Sequence, residues 1–98
     1  MTSYIYSSSG AAVGFVKGKY IHLLNGDAVG QLHGSHVHML SGAYFGELYK
    51  DMVVDRGLGD YGDIGNPGIP GNPGNPGNPG NRGAVNYGYR DVFHKLSQ

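Results

Sequence analysis

The chain has 98 residues, seven Lys and Arg against seven Asp and Glu, a formal net charge of zero and no cysteine. That balance leaves no electrostatic case for nucleic acid or an anionic membrane surface as partner, and the missing thiols exclude disulfides, thiolate zinc sites and cysteine catalysis. Met1-Thr2-Ser3-Tyr4 lacks the basic and apolar segments of a signal peptide, and no apolar run reaches the roughly 20 residues of a membrane-spanning helix, so cytoplasmic residence is the expectation.

From Tyr4 the sequence repeats every 16 residues. Tyr4-Ile5-Tyr6, Tyr20-Ile21-His22 and His36-Val37-His38 match, as do Ser9-Gly10, Asn25-Gly26 and Ser41-Gly42. Val13-Gly14, Val29-Gly30 and Phe45-Gly46 follow, then Val16, Leu32 and Leu48. Self-similarity at a fixed period marks a repeated supersecondary unit. Each unit reads as a β-hairpin: a β-prone run, a tight turn for which Asn25-Gly26 predicts type I′, and a return strand. The predicted petals are residues 4–18, 20–34 and 36–51. Gly14, Gly30 and Gly46 sit mid-strand, where glycine marks a bulge, a bend or a close backbone approach.

Met52-Val53-Val54 stands in the register of Tyr4-Ile5-Tyr6, and its turn would fall where a glycine-rich tract begins. The fourth petal is therefore expected from residues 52–58 plus 84–93, with Ala84 to Tyr89 as the returning strand and Val92 and Phe93 finishing the sheet. Asp91 to Gln98 reads as a short helix, capped by Asp91, over one mouth. Sixteen residues cannot hold a helical crossover, so neighbouring strands are antiparallel. An open eight-strand meander would leave two unpaired edges, which closure removes. The expected fold is one all-β domain, residues 1–98, of four antiparallel hairpins closed into a shallow pseudo-four-fold barrel with an insertion at 59–83.

On these residues the chain resembles the four-fold β-flower proteins, small and largely bacterial, over residues 4–56 and about 84–93. The resemblance implies short hairpins arranged as petals around a shallow closed sheet. It implies no established activity. β-flowers are similar in architecture to tubby-like barrels, which bind lipid; the analogy is one of shape.

Within the insertion, glycine recurs every third residue from Gly59 to Gly83, and Gly-Asn-Pro appears at Gly65 and in three successive triplets from Gly71. Period three with proline predicts polyproline II, as in collagen. Extended, the 25 residues would span about 75–80 Å, whereas a hairpin tip must return within about 5 Å. The tract is therefore expected to fold back as short segments, to stay mobile, or to pack between chains. For packing between copies of the chain, a homo-oligomer, the candidate residues are Asn66, Pro67, Asn72, Pro73, Asn75, Pro76, Asn78 and Pro79.

Chemistry is sparse. His33, His36 and His38 give H-x-x-H-x-H, a low-ranking metal candidate, since His36 and His38 share a strand face and His33 lies across a turn. The equivalent positions Tyr6, His22 and His38, continued by Val54, form the best candidate ring for a polar ligand contact. Asp27, Glu47, Asp51 and Asp55 make no catalytic pair, and no nucleophile elbow, P-loop or dinucleotide fingerprint is present. The reading is a protein without enzymatic activity or cofactor: a structural or interaction module whose tract mediates self-assembly. The alternative is a module holding a lipid or other apolar molecule at the barrel mouth, although the charge balance offers membrane contact no support.

Overall fold

Eight strands and one short helix follow one another in a computed structural model of the chain, which describes residues 3–55, 65, 73–74, 77, 79–80, 83–85 and 87–96. The strands are β1 (Ser3–Tyr6), β2 (Ala12–Lys17), β3 (Tyr20–Leu23), β4 (Ala28–His33), β5 (His36–Met39), β6 (Tyr44–Tyr49), β7 (Met52–Asp55) and β8 (Arg90–Asp91); α1 is Phe93–Leu96. They form one antiparallel sheet in the order β1 to β8, the all-β hairpin architecture expected from the repeat.

The repeat is visible in the pairing. Ile5 faces Gly14, Ile21 faces Gly30 and Val37 faces Gly46, and in each hairpin the register shifts at the next residue. A bulge at the same place in three petals bends each hairpin and tightens the sheet. The glycines allow close backbone approach. A Cβ on Gly30 would lie 2.9 Å from the His38 carbonyl oxygen, and one on Gly46 would lie 2.8 Å from that of Val54. On Gly14 it would overlap the carbonyl of His22.

Ile5, Ile21, Val37 and Val53, spaced by 16, are at most 1 % exposed and form the centre of the core. Val92, Phe93 and Leu96 of the C-terminal segment complete that cluster, and Val16, Leu32, Leu48, Val13, Val29, Phe45 and Leu23 pack around it. The expected helix exists, and Asp91 Oδ1 accepts from Phe93 N at 3.2 Å, capping its start. It acts as an apolar plug: its side chains press against Gly14 and Gly30, where any larger residue would displace them.

The turns depart from expectation. Leu23 N donates to Asp27 O at 2.8 Å and Gly26 N to Leu23 O at 2.9 Å, and the same pair of bonds recurs around Gly10 and Gly42. Asn25 has no positive φ, while Gly26 does. Type I′ needs two consecutive left-handed residues; here the loop is longer, and one glycine closes it. Between petals, Gly18 and Gly34 have φ of 63° and 64°, and Lys50 takes that place at 58°.

The fourth petal also differs. The returning strand is Arg90–Asp91, paired with Val54 and Asp55, and not Ala84 to Tyr89. Val85 N instead bonds to Ser8 O at 3.0 Å, and Tyr87 and Tyr89 pack at 5.3 Å on either contact of Tyr49. Gly88 has φ of 86°, unlike the mid-strand glycines it resembles in sequence. Val92 and Phe93 leave the sheet for the core because an apolar plug buries more area there than an edge strand would. β1 also lies against β7, and just before β7 Tyr6 N donates to Asp51 O at 2.7 Å. Asp91 Oδ2 then accepts from Ser8 N at 2.9 Å, tying the returning chain to the tip of the first hairpin.

Candidate functional site

Strand alternation puts Ile21 on the core side and His22 on the other. His22 and His38 are 2 % and 1 % exposed, so neither presents a ring to a ligand from solvent. Each Nδ1–H donates at 2.9 Å to a glycine carbonyl four residues on, Gly26 and Gly42 respectively. They are staples that hold the hairpin tips. Phe15 stacks on His22 with ring centroids 5.0 Å apart, and Tyr44 meets His38 edge-on at 5.6 Å. Tyr6 is half-buried at the equivalent place in petal 1, and Val54 is buried. The proposed ring of Tyr6, His22 and His38 thus has two of its three members sealed inside the sheet.

The buried polar residues lie beside them. Phe15, Gln31 and Glu47, again 16 apart, are all buried. Glu47 Oε2 accepts from His36 Nδ1 at 2.5 Å and from Tyr44 OH at 2.9 Å, while Oε1 accepts from Ser35 Oγ at 3.1 Å. Burial pushes this carboxyl up, but the hydrogen bonds from His36, Tyr44 and Ser35, with the charge interaction of His36, together hold it below its ordinary value. A carboxylate stabilised in this way is a weak proton acceptor. Ser35 and His36 bond to the same carboxylate and form no relay from hydroxyl to imidazole. Sequence inspection passed over this cluster, although Ser35, His36 and Tyr44 stand at repeat positions with other residues in neighbouring petals.

His33, His36 and His38 do not assemble as a metal site. His33 is exposed and touches His38 edge-on at 6.4 Å, His36 faces Glu47, and His38 Nδ1 is spent on Gly42. Among the described residues no group of three potential ligands converges.

The tract meets the sheet at Gly65 and at Gly83. Gln31 Nε2 donates to Gly65 O at 3.1 Å and to Met39 O at the same distance. Gly83 lies against Gly10 so closely that any side chain on Gly10 would overlap its carbonyl. Gly74, Gly77, Gly80 and Gly83 have φ of 85°, 92°, 86° and 87°. Polyproline II has φ near −75° at every residue, which these four glycines do not have. Of the assembly candidates, Pro73 and Pro79 are exposed; Asn66, Pro67, Asn72, Asn75, Pro76 and Asn78 lie outside the described residues.

Beside α1, between the first two hairpins, a cleft of about 420 Å³ opens, walled by Ala12, Val13, Leu23, Leu24 and Phe93, with Ser7, Asp91 and His94 around it. Among the described residues no helix is long and apolar enough to cross a membrane.

A family model described as 4-fold beta flower protein matches residues 3–91. Among curated proteins and among solved structures, nothing matches.

Proposed function

The chain belongs to the four-fold β-flower family, and from that premise we propose that it is a non-enzymatic interaction module whose petals display the glycine-proline tract to other molecules, a second copy of the chain first among them. One observation carries the reading: the tract is fastened to the sheet at Gly65 and against Gly83, while Gly65, Pro73, Gly74, Gly77, Pro79, Gly80 and Gly83 are exposed. A fastened segment loses less conformational entropy on binding than a free one. Exposed peptide groups offer hydrogen-bond donors and acceptors to a partner.

Light scattering of the intact chain, and of a variant with residues 59–82 replaced by a short turn, tests this. An intact oligomer and a folded monomeric variant are the expected pair. If both are monomers across the accessible concentration range, self-assembly through the tract is wrong.

A second reading, retention of an apolar molecule, is favoured by the cleft beside α1. Its size falls in the roughly 300–1,000 Å³ range of small-molecule pockets.

A further inference from the structure

The four-fold pattern is broken by size where petal 1 meets petal 2. Ser7 stands where petals 2 and 3 carry Leu23 and Met39, while Ala12 and Val13, repeated in petal 2 as Ala28 and Val29, give way to Tyr44 and Phe45 in petal 3. The cleft of about 420 Å³ is lined by these small side chains. Its wall is aliphatic and aromatic, and Phe93 of the plug forms part of it.

Asp91 supplies the carboxylate of this lining. Its two oxygens receive Ser8 N at 2.9 Å and Phe93 N at 3.2 Å, one bond each. A carboxylate oxygen accepts two hydrogen bonds, so each retains acceptor capacity. The backbone donors hold the group in place beside the cleft, half-buried rather than free to swing into water. An apolar wall beside an oriented carboxylate selects a molecule with an alkyl body and a cationic donor at one end.

We infer that the cleft between petals 1 and 2 binds an aliphatic primary amine, its chain against Val13, Leu23 and Phe93 and its ammonium donating to Asp91. This deepens the second reading above and rests on it; it is independent of tract display.

NMR titration of the full chain with n-hexylamine, n-hexanol and n-hexanoate near pH 7 tests it. Shifts confined to the methyl groups of Ala12, Val13, Leu23 and Leu24 are expected. The amine should bind about tenfold more tightly than the alcohol, the scale of a charge-assisted hydrogen bond, and the carboxylate more weakly still. Val13→Phe, which gives petal 1 the residue type that petal 3 carries, should fill the cleft and abolish the shifts in a protein whose spectrum remains folded. Asp91→Asn should erase the preference for amine over alcohol. If all three compounds bind equally, the amine assignment falls while the apolar cleft stands. Absence of local shifts up to the solubility limit overturns both, and undiminished binding by Val13→Phe overturns the location.

Discussion

Replacing Gly30 by alanine would set a methyl group 2.9 Å from a backbone oxygen and 3.1 Å from Leu96 Cδ2. The leucine can shift, but the strand carbonyl cannot do so without loosening the bulge. A loss of about 1–3 kcal/mol is expected, the usual scale of overpacking, measurable as a shift of the urea midpoint. Gly34→Ala meets no atom within 4 Å but keeps φ near 64°, so it should cost about 1–2 kcal/mol through backbone strain alone. Glu47 makes a different prediction. Its folded-state pKa lies below the ordinary 4.5, so its share of stability is complete above that value and is lost as pH falls through the folded-state pKa. Glu47→Gln should cost about 1–3 kcal/mol at neutral pH and flatten the acid limb of a stability-against-pH curve. An unchanged limb would mean that other carboxylates set it.

At the scale of elements, the hairpins were legible because their 16-residue spacing aligns the same residue types on the same strand face. The loop shape was not. Asn25-Gly26 is a strong signal for type I′, yet the buried ring of His22 bonds to Gly26 O and fixes a longer loop. Tertiary burial outweighed the local preference. In the tract, the spacing of glycines predicts polyproline II but does not encode the positive φ found at Gly74, Gly77 and Gly80. Burial of the ligand ring was equally hidden, since a histidine at an alternating position reads as exposed until its partner is known. Lys50 offers a test of turn and cluster together. It stands at φ 58° where the other petals use glycine, with its ammonium 5.7 Å from the centroid of Tyr49 and 5.1 Å from that of Tyr87. Lys50→Ala keeps the strain and loses about 0.5–1 kcal/mol of cation–π attraction. Lys50→Gly also relieves the strain and should be more stable than the alanine variant by about 1 kcal/mol. Equal urea midpoints would sink that account. For the plug, Leu96→Ala should cost about 2–4 kcal/mol.

The whole molecule is held together by contacts distant in sequence. Ser8 N to Asp91 spans 83 positions, and Val85 N to Ser8 O closes the same seam. Sequence periodicity anticipated a sheet closed into a barrel, whereas the strands run in open order from β1 to β8; the seam contacts were hidden because β8 has only two residues and carries little of the pattern. Asp91→Asn should leave the petals folded and speed hydrogen exchange at Ser8 and Val85 selectively. Uniform acceleration across the sheet would show instead that the seam governs global unfolding.

The ring of Ile5, Ile21, Val37 and Val53 is covered by Val92, Phe93 and Leu96, which follow every petal in the chain. A ribosome making this protein therefore releases three complete hairpins with their shared apolar centre still bare, and the cover arrives only after the tract has been threaded out. Folding is committed late, and an incomplete product shows the cell a water-exposed ring of Ile and Val side chains, the kind of surface that chaperones and proteases act upon.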